Sequence, residues 1–214
     1  MDVSNPLEHI RNRIKDSDPG MVFITSDFLD LTDYVNAKKC LSRLAESGFL
    51  RRIIRGVYDC PEYNNFLGEY AAPSPHNVAL ALARNFGWTV VPDGDTALNQ
   101  LGLSTQVPAY WTYVSDGPYK EYVLNKSMIR FKHIANKDIS KLSYKSALFV
   151  QAIKAIGKNG MDGRVARNMS RLLSAEEKAN MLSDGKHITS WVYDFIKKIC
   201  DGKNETYRKI TICR

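Results

Sequence analysis

Apolar positions repeat along this chain at two spacings, and the switch between them marks out its elements. From Asp33 to Ser47, residues Tyr34, Ala37, Leu41, Leu44 and Ala45 recur at steps of three and four, the period of a helix with one buried face. Thr32 or Asp33 is placed to cap its start, and Gly48 stands where a helix ends in a left-handed residue. From Phe49 to Tyr58 the period drops to two around Arg55-Gly56. In such a tight two-stranded ribbon Leu50, Ile53 and Val57 can point inward while Arg51, Arg52 and Arg55 are free to meet phosphates. Upstream, Leu7, Ile10 and Ile14 predict a helix over Asn5 to Lys15, with Ser4 as a cap and Pro6 in its first turn. Asp16 to Gly20 reads as a turn and Met21 to Thr25 as a short strand that pairs with the ribbon. Ser26 and Asp27 open a one-turn helix. Strand, short helix, longer helix and ribbon is the order of a winged helix-turn-helix.

After Pro61 the pattern lapses. EYNNFLGEYAAPSP reads as a linker, and Ser74-Pro75 then starts a helix carrying Val78, Leu82 and Phe86 up to Gly87. Trp88 to Val91 predicts a strand, and PDGDTALNQLGL a turn feeding a short helix capped by Asp95 or Thr96. Val107 to Ile134 predicts an antiparallel meander turning at Asp116-Gly117 and Asn125-Lys126. The last third is helical: Leu142, Phe149, Ile153 and Ile156 mark one helix, and Val165, Met169, Leu172 and Leu173 a second. A capping box, Ser174 with Glu177, opens a third, and the stripe Trp191, Val192, Phe195, Ile196 and Ile199 marks a fourth. TYRKITICR closes the chain as a late strand or a tail. The expected fold class is α+β: a winged helix-turn-helix over residues 1–60, a mixed α+β region over 61–140 with the small meander, and a helical region over 141–214. The last two are read as one domain.

With 214 residues, 44% of them apolar, the chain has material for a real core. A net charge of +7 tilts the choice of partner toward polyanions. The N-terminus carries neither a basic segment nor an apolar run, and no stretch approaches about 18 apolar residues, so a cytoplasmic protein without a membrane span is expected. Cys40, Cys60, Cys200 and Cys213 are scattered without metal-ligand spacing and read as free thiols.

Projected at about 100° per residue, the helix of residues 33–47 places Asn36, Lys39 and Arg43 together opposite its apolar face, flanked by Ser42 and Glu46. These are the candidate base readers, with Ser42 beside them. Arg51, Arg52 and Arg55 on the ribbon are the candidate phosphate contacts. A helix in the major groove and a basic wing on the adjacent backbone suit duplex DNA. The competing readings are a protein-docking winged unit and, for the basic residues of the helix, a merely solvated face.

Catalytic signatures are missing from the sequence: there is no phosphate-binding Gly-rich loop, nucleophile elbow or H-E-x-x-H, and the four histidines are dispersed. Neither an enzyme nor a cofactor is expected. Asp93 and Asp95 read as helix-start residues rather than metal ligands. Tyr110, Trp111, Tyr113, Tyr119 and Tyr122, interleaved with Lys120, Arg130 and Lys132, are weighed as a stacking platform for single strands, with packing of a sheet face as the stronger reading.

The runs FITSDFLDL, LSRLAESGFLRRIIRGVYDCP, PSPHNVALALARNFGWTVVPDGDTALNQLGLSTQVP and YVSDGPYKEYVL resemble the AbiEi-type antitoxins of bacterial abortive infection, a phage-defence toxin–antitoxin system of type IV. The resemblance rests most on Arg55-Gly56-Val57-Tyr58 with Pro61, on Ala97-Leu98-Asn99, and on Leu101 to Ser104 with Gln106-Val107-Pro108. It covers about Met21 to Ile134. It implies a winged-helix transcriptional autorepressor that binds inverted repeats in its own promoter and opposes a nucleotidyltransferase-like toxin; two copies on such a repeat are expected to self-associate there through shared bending or contact. The DNA role carries over to the helix bearing Asn36, Lys39 and Arg43 and to Arg51, Arg52 and Arg55, while no residue is assigned to antitoxicity. The alternative is a stand-alone regulator or docking module with no toxin.

Overall fold

A computed structural model describes residues 5–124, 127–134, 141–185 and 188–201 and shows a mixed α+β protein. The chain divides into two compact units, residues 1–88 with 122–129 and residues 89–121 with 130–214. No helix among the described residues is long and apolar enough to cross a membrane.

The first unit opens with α1 (Pro6–Lys15), whose cap is Asn5, its side chain accepting the Glu8 N–H. The expected cap, Ser4, lies outside the described residues. Strand β1 (Val22–Ile24) leads into a 3-10 turn over Thr25–Phe28, where the Asp27 carboxylate accepts the Ile24 N–H at 2.9 Å. Helix α2 (Tyr34–Glu46) starts at Asp33. It stops at Gly48, with the Phe49 N–H returning to the Leu44 carbonyl and the Gly48 N–H to that of Ala45. Strands β2 (Arg51–Ile54) and β3 (Val57–Asp59) form the ribbon, and β1 pairs antiparallel with β3, giving the order β1-β3-β2.

Ile10, Ile14, Phe23, Phe28, Ala37, Leu41, Leu44, Leu50 and Tyr58 form one core under α1 and α2. Two positions of α2 depart from the expected stripe. Tyr34, placed in the core by its spacing, is 54% exposed in the first turn of the helix, and Cys40 is buried in the stripe instead.

Residues 62–71 form a second ribbon rather than a linker. Strands β4 (Tyr63–Asn64) and β5 (Glu69–Tyr70) pair antiparallel, and the Asn64 side chain accepts the N–H groups of Phe66 and Leu67. Helix α3 (Pro75–Phe86), capped by Ser74 and ended at Gly87, packs on β1 and β3. Its Arg84 bonds the Asp27 carboxylate at 3.1 Å and the Val22 carbonyl at 2.9 Å. Strand β1 is therefore buried along its whole length. This covering helix is why the first unit runs on to Trp88, past the boundary expected near residue 60.

In the remaining chain, β6 (Val90–Pro92), β7 (Tyr110–Ser115), β8 (Lys120–Leu124) and β9 (Ser127–His133) make a sheet in the order β6-β7-β9-β8. The order corrects the expected meander, since β9 lies between β7 and β8. The Ile134 N–H donates to the Ser115 carbonyl and Arg130 lies over Tyr110, so β9 runs alongside β7 in the same direction. Asp116-Gly117 is consequently not a hairpin turn: Asp116 accepts the Thr89 N–H, and the Gly117 carbonyl faces His133 Nδ1 at 2.9 Å. The other expected turn, Asn125-Lys126, lies outside the described residues.

Helix α4 (Asp95–Gln100) begins at Gly94 without a side-chain cap, which corrects the roles expected for Asp95 and Thr96. The buried Thr96 hydroxyl accepts the Thr112 N–H instead, and Asp93 pairs with Lys132 at 3.1 Å. Helix α5 (Tyr144–Gly160) is buried from Ser146 to Ile153 and breaks at Gly157. Helices α6 (Gly163–Arg171), α7 (Ala175–Asp184) and α8 (Ser190–Asp201) surround it in one apolar cluster that includes Met169, Met181, Val192 and Ile196. The capping box of Ser174 and Glu177 is present. The closing run TYRKITICR lies outside the described residues.

Candidate nucleic-acid interface

Amphipathicity fixes which side of α2 is free. With Ala37, Cys40, Leu41 and Leu44 turned into the core, the outward side carries Val35, Lys39, Ser42 and Glu46, with Asn36 and Arg43 on one flank and Lys38 on the other. Asp33 closes the N-terminal turn by accepting the Asn36 N–H at 3.0 Å and its side-chain amide at 2.6 Å. Those bonds, the backbone one foremost, hold the Asp33 carboxyl below the usual carboxylate range. Asn36 is thus half committed: its amide nitrogen belongs to the cap. Ser42 is committed too, its hydroxyl donating to Glu46 at 3.2 Å.

The three ribbon arginines divide. Arg51 binds the Asp59 carboxylate with both Nε, at 3.0 Å, and a terminal nitrogen, and reaches the Ala71 carbonyl at 2.9 Å. It is a clip joining the two ribbons, with Nε and one terminal nitrogen of its guanidinium committed to the fold. Arg52 and Arg55 are exposed and make no salt bridge among the described residues, and the same holds for Lys38, Lys39 and Arg43. Five uncommitted cations therefore lie within one short stretch of chain.

Two features escaped the pattern. Val35, 59% exposed, is an apolar side chain on the outward side of α2 beside Lys39. Its signal was available, since it projects opposite Leu44. The other is the tip of the β4-β5 ribbon, where Phe66 is 95% and Leu67 62% exposed above a T-shaped Tyr63–Tyr70 pair at 5.2 Å. The matched tyrosines and the Asn64 to Gly68 turn residues are its trace in the sequence.

The aromatic sheet is not a platform of free rings. Tyr113 is wholly buried against Phe131, and burial pushes its hydroxyl far above the ordinary range. Tyr110 and Tyr119 are exposed, but Arg130 over Tyr110 is held by Glu121 at 2.6 Å, and Glu121 also accepts the Tyr119 hydroxyl. Among the described residues no cluster of three His, Cys, Asp or Glu side chains could hold a metal ion.

The family model described as a family of unknown function, DUF6088, matches residues 9–181. No curated protein matches the chain. One solved structure it resembles is the crystal structure of the Rv2827c protein from Mycobacterium tuberculosis. That likeness has a TM-score of 0.42 and 14% identity, over 92% of this chain and 76% of that one.

Proposed function

We propose that this chain, which belongs to the DUF6088 family, is a winged helix-turn-helix regulator that binds double-stranded DNA at inverted repeats in its own promoter and represses by occupancy. The observation that carries the reading is the pairing of a capped, core-anchored helix whose outward cations are unpaired with a short ribbon presenting Arg52 and Arg55. Helix α2 enters the major groove. Arg43 and Lys39 donate to base edges or phosphates, Val35 meets a thymine methyl group, and Asn36 keeps its carbonyl oxygen for a base amine. Arg52 and Arg55 hold the adjacent backbone, and two copies on a repeat fix the register. Arg51 takes no DNA contact and instead sets the ribbon's position. No chemistry on the DNA is part of the reading.

The test is a titration against the upstream intergenic duplex and a scrambled duplex of equal length, each at two salt concentrations. A preference of about a thousandfold is expected. Arg43→Ala should relax preference at one position by roughly 1–3 kcal/mol, whereas Arg52→Ala weakens binding to both duplexes and lowers the salt slope by about one. Weak, equal binding abolished by moderate salt would refute the reading. A second reading, a protein partner docked on the first unit, is favoured by the exposed Phe66–Leu67 tip, and co-purification of a neighbouring gene product lost in Phe66→Ala would support it. The antitoxin role rests on the sequence resemblance alone. Its test is whether co-expression rescues growth from a neighbouring nucleotidyltransferase-like gene.

A further inference from the structure

We infer that the helical part of the second unit carries a binding site for a small amphipathic anion, a carboxylate or phosphate head on an apolar body. A cleft of about 490 Å³ opens where the turn after α4, the last residues before the α5 break and one face of α6 come together. Its floor is apolar, formed by Leu101, Leu103, Ile156 and Leu172. Its rim is polar and one-sided: Arg164, Asn168 and Arg171 stand at steps of four and three along α6, hence on one face of that helix. The volume lies within the range of small-molecule sites, and an apolar lining with a few convergent polar groups is their usual construction.

Three observations select an anion. No carboxylate lines the cleft. Neither Arg164 nor Arg171 makes a salt bridge among the described residues; Asp162, two residues from Arg164 and within reach of its charge, is engaged as the cap of α6, its carboxylate accepting the Val165 N–H at 2.7 Å. Asn168, about one turn from each arginine along the same helix face, adds an amide donor to the two guanidinium groups that line the cleft. The apolar body is called for by what continues from the floor. A smaller hollow of about 280 Å³ beside Gln100, Tyr144 and Lys145 shares Leu101 and Leu172 with the first, so the two adjoin there, with the arginines lining only the first. The Lys145 ammonium is already held by Glu177 at 2.8 Å, so the smaller hollow offers apolar contact without a free cation. Leu172, 39% exposed at the junction, is a large apolar side chain left in water until such a body covers it.

The site is independent of the DNA reading and is tested without DNA. The full chain is titrated with 1-anilinonaphthalene-8-sulfonate, an anion on an aromatic body, and with the uncharged N-phenyl-1-naphthylamine. Decanoate, decanol and inorganic phosphate are the competitors. Saturable fluorescence displaced by decanoate, and not by phosphate alone, is expected. Arg164→Gln with Arg171→Gln should weaken the sulfonate and decanoate by about tenfold or more while leaving the neutral probe within about twofold, because charge-assisted bonds are lost and the floor is intact. Leu172→Asp should weaken both probes, with circular dichroism confirming that each variant keeps its helices. Three results would overturn the inference: no saturable displacement, equal affinity in the glutamine variant, or displacement by an acidic amphipathic peptide where decanoate fails.

Discussion

Replacing Arg51 by alanine should destabilise the first unit far more than neutralising its partner, Asp59. Asp59 is 3% exposed on β3, and its carboxylate is held by Arg51, whose side chain keeps a third of its surface in water. Arg51→Ala leaves a buried carboxylate without its counter-charge, a loss that typically costs about 3–5 kcal/mol. The partial exposure of the pair argues for the low end, and the lost bond to the Ala71 carbonyl adds about 1 kcal/mol, for a total near 3–4. Asp59→Asn leaves a guanidinium that can turn to solvent and an oxygen still able to accept, so its cost should be about 1 kcal/mol. Cys40, 8% exposed in the core beneath α2, supplies a local readout once Cys60, Cys200 and Cys213 are changed to serine. Its labelling rate under native conditions then follows the opening of this unit, and Arg51→Ala should raise it roughly 150- to 800-fold, against about fivefold for Asp59→Asn. Equal effects of the two variants, or less than about tenfold for Arg51→Ala, would refute the clip. Loss of DNA binding in Arg51→Ala to the extent seen in Arg52→Ala, with labelling unchanged, would return Arg51 to the phosphate contacts.

Other predictions concern the frame around that clip. Leu41→Ala, at a fully buried position of α2, should cost about 3 kcal/mol in chemical denaturation and raise Cys40 labelling in step. Gly56 turns the ribbon at φ +80°, so Gly56→Ala should cost about 1–2 kcal/mol from backbone strain alone, since nothing crowds the added methyl group. Asp33→Ala removes the cap of α2 at a cost of about 1 kcal/mol and frees the Asn36 amide; sharper discrimination at one base pair, alongside a lower melting temperature, is the expected pairing of effects. Burial of His76 at the start of α3 holds its imidazole below the ordinary 6.5. The unfolded chain then binds the extra proton first, so stability is full above about pH 6.5 and falls as pH drops toward the folded value. Melting curves from pH 7.5 down to 5 should show that loss, and His76→Gln should flatten it.

What the sequence disclosed and what it withheld separate along one physical line. Most features settled by neighbours a few residues away were legible, among them the Asp33, Ser74 and Ser174–Glu177 caps, the Gly48 stop and most of the apolar stripes of α1 and α2, whereas the cap expected at Thr96 was lost to a distant partner, Thr112. Features settled by distant partners were not. The place of β9 between β7 and β8 depends on which strand edge is free, and the covering of β1 by α3 depends on Arg84 reaching Asp27 and the Val22 carbonyl. The arginines of the ribbon show the difference at single-residue scale. Closing the ribbon on Arg55-Gly56 pairs Ile54 with Val57, and unbroken pairing would set Arg52 opposite Asp59. A bulge between Arg52 and Ile54 moves the register by one, so Arg51 meets Asp59 and Arg52 is paired with Tyr58 instead. Their charge alone marked all three arginines as phosphate contacts and therefore equivalent. One inserted residue spends the first on the fold and leaves the others for a ligand, and the uncommitted cations are where a polyanion would have to be held.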